Sequence, residues 1–316
     1  MHERRLNLTS YGRRLTWSVA ILALLTMAAD GLQAADGPYL FSYFKGNGED
    51  GLHLAWSEDG LKWESLKGDQ SFLTPRVGGK LMRDPSIVLG LDGVFHMVWS
   101  SGWWDKGFGY ASSKDLVRWS EQRSIPVNER VAGAKNTWAP DLFLDAASKQ
   151  FVMAFATTVP GRFPETDQGG DHNHRLYEVR TRDFQSFSEP KLLLNPGYNS
   201  IDGTLFAAAG RLGMIYKDER PGRKRLHVAF AAGLDAPWTA SEQPIIDRDW
   251  VEGPAVLRVG QVWRVYFDCY TKGHYGAAES VDGVAWRDIT DQVRFPSGAR
   301  HGTAFPVSRD LLNSLR

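Results

Sequence analysis

Ser113-Lys114-Asp115-Leu116-Val117-Arg118-Trp119 is a phrase the chain writes five times. It stands earlier as Ser57-Glu58-Asp59-Gly60-Leu61-Lys62-Trp63, and later as Thr181-Arg182-Asp183-Phe184-Gln185-Ser186-Phe187 and Ser280-Val281-Asp282-Gly283-Val284-Ala285-Trp286. A degenerate copy, Ala232-Gly233-Leu234-Asp235-Ala236-Pro237-Trp238, lies between the last two. A Ser or Thr followed two residues on by Asp can bond the backbone of a tight turn, and Gly supplies positive φ where the turn needs it. The closing aromatic then pins the outer strand to its sheet. Successive aromatics (63, 119, 187, 238, 286) stand roughly 50 to 70 residues apart, which suits a four-stranded propeller blade.

The strands around the phrase agree. In the second repeat, residues 86–89 turn at Asp92-Gly93 into 94–99, then 109–112 follow, and Trp119 closes the unit. These are short runs rich in β-branched and aromatic residues, with no periodic stretch of helix length. The first repeat is one strand short (39–44, 52–57 and 63–66), and residues 303–307 form a spare strand at the other end. An all-β fold is expected: a five-bladed β-propeller, its ring closed by a C-terminal strand joining the N-terminal blade, which removes the open edges. Only residues 309–316 read as helical.

Composition narrows the partners. The 316 residues carry a formal net charge of zero, and no basic block follows the N-terminal segment. Nucleic acid normally demands a concentrated basic footprint, so it is not the expected partner. Twelve Trp, ten Tyr and sixteen Phe serve sheet packing first, and their faces also suit sugar rings. Cys269 is the only cysteine and sits in an apolar run, where a buried inert thiol is expected.

Residues 1–35 read as an export signal: Arg4, Arg5, Arg13 and Arg14, then an uncharged stretch to Ala29, then Ala34 and Ala35. Arg13-Arg14-Leu15 also permits a twin-arginine signal, and an uncleaved anchor is the main rival. The expectation is an exported protein, periplasmic or extracellular, with residues 36–316 as one catalytic domain, free of the membrane after cleavage and monomeric.

The chemistry sits where blades begin. Their openings are Arg83-Asp84-Pro85, Trp138-Ala139-Pro140-Asp141, Ile201-Asp202-Gly203, Val251-Glu252-Gly253-Pro254 and Arg300-His301-Gly302. Equivalent points in a ring of blades face one end of the axis, so these acids and the histidine are expected to converge on one pocket. Glycosidic cleavage needs a carboxylic acid to protonate the leaving oxygen and a carboxylate to activate water or attack the sugar. In inverting enzymes the two stand about 6.5–9.5 Å apart. A third acid nearby can raise the donor's pKa by repulsion.

In that order and spacing the motifs resemble glycoside hydrolase family 43, across residues 38–307. The resemblance implies inverting enzymes acting mostly on arabinofuranosides and xylosides, with some members on galactose-containing chains. It implies Asp84 as general base, Glu252 as general acid and Asp202 as the group that tunes and orients the acid. Gly203 replaces the usual proline and Asp141 stands where many relatives carry glutamate, departures that bear on substrate more than on activity. Terminal sugars of the α-L-arabinofuranose, β-D-xylose or β-D-galactofuranose type are the expected products, and no cofactor is required.

Other residues are weighed singly. His301 can bind substrate, close the ring, or help hold a central water or structural ion. His172 and His174 lie in a polar loop, and His174 is taken as a sugar contact rather than a metal ligand. Trp103, Trp104 and Trp138 are candidates for stacking; Trp99, within a strand, reads as core. Lys217 follows an apolar run and is expected to point into the funnel, and Arg83 to hold a carboxylate or a sugar hydroxyl. Three rival readings remain: an invertase-like retaining enzyme or a sialidase, whose signatures are missing, and a catalytically dead sugar-binding propeller, which has no need of all three acids. Exo action is preferred because Trp103, Trp104 and loop 160–174 would block the funnel; an endo-acting arabinanase-like hydrolase is the alternative.

Overall fold

The structure, a computed structural model, describes residues 37–316 apart from Ala209, so the export-signal reading of residues 1–35 lies outside the described residues. Five antiparallel four-stranded sheets follow one another around a ring. The first blade orders Ala304–Pro306, Tyr39–Tyr43, His53–Ser57 and Glu64–Ser65, so the C-terminal strand supplies its innermost position as expected. Tyr39 pairs with Pro306 and Phe41 with Ala304. The innermost strands of the other blades are Arg83–Leu89, Trp138–Asp145, Ser200–Ala208 and Glu252–Val259.

Alternation of side chains gives each sheet two apolar faces, and five hydrophobic clusters fill the wedges between neighbouring blades. Trp99 is fully buried in the first of these, as its place in a strand predicted. The terminal helix Arg309–Leu315 begins at Ser308, whose hydroxyl accepts from the Leu311 N–H, and buries Leu312 and Leu315 against that same cluster.

The repeated phrase forms one turn four times. Ser57, Ser113, Thr181 and Ser280 each accept an N–H from the residue three positions on. Asp59, Asp115, Asp183 and Asp282 each accept the next two. The residue between them is left-handed in every copy: Gly60 at 68°, Leu116 at 61°, Phe184 at 54° and Gly283 at 74°. Glycine was expected to supply that conformation, yet Leu116 and Phe184 also take it. Their side chains are buried in the wedges, and that packing offsets a backbone cost of about 1–2 kcal/mol. In the degenerate fourth copy Asp235 instead bonds Arg180.

Candidate active site

Every innermost strand enters its sheet through a bulge. The ladder slips between Arg83 and Ser86, Trp138 and Asp141, Ile201 and Thr204, and Glu252 and Ala255. The residue inside each bulge is left-handed: Asp84 at 53°, Ala139 at 45°, Asp202 at 54° and Gly253 at 59°. In the closing strand the Phe44–Arg300 bridge is one residue out of register with the Phe41–Ala304 pair, which sets His301 at the same place. Bulges re-aim side chains and cluster beside functional sites.

This corrects the sequence reading in one detail. The five motifs are not at strictly equivalent points: Asp84, Asp202 and His301 share the bulge position with Ala139 and Gly253. Glu252 stands one residue earlier, level with Arg83, Trp138, Ile201 and Arg300. Asp141 stands two residues after the bulge residue, level with Ser86 and Thr303, and there it ties blades together. It accepts the Leu205 N–H at 3.2 Å and the Ser86 hydroxyl at 3.4 Å. Ser86 accepts the Leu142 N–H and Thr303 the Ile87 N–H in the same manner.

His301 is the hub of the mouth. Its Nδ1 lies 3.2 Å from Asp84 Oδ1, and the Ser100 hydroxyl donates to Asp84 Oδ2 at 2.7 Å. Burial alone would raise Asp84; the His301 bond and charge, with Arg83 and Ser100, overcome it and hold Asp84 at about 2. His301 is raised to about 9, because Asp84, Asp202 and Glu252 outweigh its own burial. It is therefore an imidazolium engaged by a carboxylate. Among the described residues no three His, Cys, Asp or Glu side chains are grouped to hold a metal. Packing at this hub demands Gly253: a Cβ there would stand 2.4 Å from the His301 ring.

Glu252 and Asp202 are both buried yet shifted in opposite directions. Asp202 is pushed up to about 6 by burial, with the Glu252 and Asp84 charges adding, and its Oδ2 accepts the Gly253 N–H at 3.0 Å. Glu252 suffers burial too, but Lys217 and Arg300 more than compensate and keep it below the usual carboxylate range. Lys217 Nζ is 2.8 Å from Glu252 Oε2, and Arg300 Nη2 is 3.0 Å from Oε1. Both cations are shared: Lys217 with Glu219 at 2.8 Å, Arg300 with Asp268 at 2.6 Å. Lys217 is 2% exposed, so it reaches the funnel through its carboxylates rather than as an open contact.

The rim belongs to blades two and three. Arg83 lies over the rings of Phe44 and Trp103, and its Nη1 donates to Asn47 Oδ1 at 3.1 Å. Trp138 Nε1 donates to the Trp103 carbonyl, and the rings of Trp103 and Trp104 stand 5.9 and 5.8 Å from that of Trp138. Trp103 and Trp104 are exposed. His174 differs from its expected place as an open sugar contact: it is 1% exposed, stacked on Trp138 at 4.5 Å. The strand it opens turns its side chain inward, and burial drives its pKa to about 3, so it is neutral. His172 is the exposed member of that pair and neighbours Trp104. Behind the loop, fully buried Arg175 bonds Asn195, Asn173 and Thr166. Cys269 is buried and its thiol pushed up to about 11, an inert group as predicted.

Sequence reasoning missed Ser100, Asp268, Glu219 and the role of Arg300. Asp268 did leave a signal: a lone carboxylate in the apolar run Val265-Tyr266-Phe267-Asp268-Cys269 calls for a cation.

A five-bladed propeller with a ring of paired carboxylates at one mouth defines the class of sugar-cleaving propellers. The chain belongs to the family of glycosyl hydrolase 43-related domains, described as "Probable glycosyl hydrolase domain", whose model matches residues 36–312. It is 29% identical over 121 residues to an alpha-L-arabinofuranosidase of Bifidobacterium longum, a match spanning 35% of this chain and only 11% of that longer protein. The crystal structure of an alpha-L-arabinofuranosidase from Lactobacillus brevis superposes with a TM-score of 0.50 at 20% identity, over 66% of this chain and 72% of that one. A thermostable family-43 glycoside hydrolase gives 0.53 at 17% identity, over 73% and 81%. At such identities the structural likeness speaks for the fold alone.

Proposed function

We propose that the chain is an inverting glycoside hydrolase that releases terminal sugars of the α-L-arabinofuranose, β-D-xylose or β-D-galactofuranose type from polysaccharides or oligosaccharides. Asp84 is the general base, Glu252 the general acid, and Asp202 the group that sets the acid's proton supply. The observation that carries this reading is the unequal charge on three neighbouring carboxyls. His301 and Ser100 keep Asp84 ionised, while burial lifts Asp202 to about 6 and Lys217 and Arg300 hold Glu252 below its ordinary range. A base and a proton source held apart by their surroundings are what inverting hydrolysis requires.

Asp84 takes a proton from water as the water's oxygen bonds the anomeric carbon. The glycosidic C–O bond breaks, and the leaving oxygen takes its proton from Glu252. In the empty site that proton rests on Asp202, because Lys217 and Arg300 favour the Glu252 carboxylate. Sugar hydroxyls that engage these two cations weaken their hold, and the proton passes to Glu252. The arabinofuranosidases among the relatives make α-L-arabinofuranose the first sugar to try. The Trp103–Trp104–Trp138 rim supports attack at a chain end. Export by residues 1–35 to the periplasm or the medium belongs to the same proposal, and the N-terminal mass of the secreted protein checks it.

The test is release of 4-nitrophenol from the three aryl glycosides, with Glu252→Gln as control. Release by the wild type that falls about 10²–10⁴-fold in the variant supports the acid–base assignment. Equal release by both proteins from an oligosaccharide of the same terminal sugar, whose leaving oxygen needs protonation, removes Glu252 from its role.

A further inference from the structure

Residues 219–224 join the second and third strands of the fourth blade, and the tip of this connection, residues 221–223, stands in solvent. At its start, Glu219 turns its carboxylate onto Lys217. Lys217 Nζ lies 2.8 Å from Glu219 Oε2 and 2.8 Å from Glu252 Oε2, so one buried ammonium stands between two carboxylates. The other oxygen of Glu219, Oε1, is held by Lys224, whose Nζ also donates to the Glu219 carbonyl at 3.1 Å. The Lys224 carbonyl accepts the Val251 N–H at 3.2 Å, and Val251 is the residue before Glu252. The contacts close a circuit, Glu252–Lys217–Glu219–Lys224–Val251, that begins and ends at the candidate acid.

The other charges nearby have partners of their own. Arg220 is bonded to Asp218, and Arg225 to Asp249. On the far side of Glu252, Arg300 is divided between Glu252 and Asp268, and His301 is engaged by Asp84. Asp202 acts on Lys217 at longer range, and the Tyr270 ring lies 4.8 Å from Lys217 Nζ. A buried ammonium with one carboxylate partner holds that partner ionised, because protonating it would leave a buried charge uncompensated. A second carboxylate at the same distance removes that obstacle.

On the glycosidase reading, on which this inference rests, Glu252 must take up a proton before it can deliver one to the leaving oxygen. At that moment Lys217 loses Glu252 as its counter-ion, and Glu219 is the carboxylate still beside it. We propose that Glu219 is a positioning residue for the general acid: it keeps Lys217 paired while Glu252 is protonated, and Lys224 limits how much of its charge reaches Lys217.

The experiment follows kcat/KM against pH on an oligosaccharide of the expected terminal sugar, whose leaving oxygen needs protonation. Glu219→Gln removes the second carboxylate, so Glu252 is held ionised more firmly and the alkaline decline moves to lower pH, by about half a pH unit or more. Lys224→Met leaves the whole Glu219 charge to Lys217 and moves the decline the other way, to higher pH. Glu219→Asp keeps the charge and should return the decline toward its wild-type position. A loosened connection would instead lower kcat/KM at every pH and leave the decline in place. That result, or displacement in the same direction for Glu219→Gln and Lys224→Met, overturns the proposal. The NMR shift of the Glu252 carboxyl carbon, titrated without substrate, should show the same opposite displacements. If they are absent in a protein that cleaves the oligosaccharide, the role of Glu219 falls alone. A wild type that cleaves no glycoside brings down the glycosidase reading, and the role of Glu219 with it.

Discussion

The aspartates of the outer turns and those of the mouth are the same side chain put to opposite uses. Asp59, Asp115, Asp183 and Asp282 each gather two backbone N–H groups and a hydroxyl. For Asp115, Asp183 and Asp282 those backbone donors dominate, and for Asp59 they overcome a burial penalty; all four are held below the usual range. At the mouth, burial outruns the donors, and Asp141, Asp202 and Asp268 are each raised to about 6. The outer turns repeat both backbone and chemistry. The bulges that open blades two to five repeat only the backbone, with Asp84, Ala139, Asp202 and Gly253 as their side chains, and His301 stands level with them in the closing strand. Backbone donors hold the outer aspartates alike, whereas at the mouth burial is set against His301, Lys217 and Arg300, which leaves Asp84 and Asp202 on opposite sides of the ordinary value.

The sharpest way to break this contrast is Asp84→Asn. The amide keeps the size and can still accept from Ser100, but it cannot take a proton from water. Turnover should fall about 10³-fold or more, with the circular dichroism spectrum retained and the melting temperature lowered because buried His301 loses its carboxylate partner. A variant of near-normal turnover would show that the bulge position carries no chemistry and that both aspartate sets are structural.

Asp202→Asn separates stability from activity. The folded-state pKa of about 6 lies above the ordinary value of 3.8, so the fold binds this proton more tightly than the unfolded chain does. Ionised Asp202 therefore costs stability at pH 8, and the cost disappears as pH falls below about 4. The amide oxygen can still accept from the Gly253 N–H. The variant should be more stable than wild type at pH 8, by on the order of 2 kcal/mol, and no more stable at pH 4. Its turnover should fall about 10²-fold, since the proton reservoir is gone. Destabilisation at pH 8 would place Asp202 with the outer turns instead.

Lys217→Met tests which neighbour sets the proton donor. In the wild type, kcat/KM should decline as pH rises through about 6, where Asp202 loses its proton. Toward acid it should stay flat, because Asp84 remains ionised down to about 2. Removing the Lys217 cation raises the proton affinity of Glu252, so the alkaline decline moves to higher pH. A decline that stays in place would leave Arg300 as the controlling cation.

The outer turns were legible because their chemistry lies within seven consecutive residues and recurs, and the missing first-blade strand was legible because its complement stands at the C-terminus. The blade-opening acids were found by their place in the repeat. Their exact register was not, since a bulge is set by which ladder bonds skip, and Glu252-Gly253-Pro254 and Arg83-Asp84-Pro85 look alike when aligned by their prolines. The Asp268–Arg300 and Lys217–Glu252 pairs join residues 32 and 35 apart across different blades, where no local spacing points to the partner. His174 escaped for a similar reason: it stacks on Trp138, which lies two strands away in the same sheet.

The smallest expected effect lies in the outer set. Asp115 accepts from the Val117 and Arg118 N–H groups and from Ser113, and part of its side chain stays open to solvent. Asp115→Ala leaves those donors to water at one turn among four, so the loss should be about 1 kcal/mol, a fall of about 2–4 °C in Tm. Activity should not change, because the turn lies at the far edge of its blade from the axis. Asp115→Asn retains an acceptor oxygen for both N–H groups and should recover most of the difference. Recovery would show that the turn asks only for an acceptor, whereas at position 84 the same exchange abolishes function because the mouth asks for a base. If Asn fails at both positions, charge matters in the turn as well, and the distinction between structural and reactive aspartates rests on burial alone.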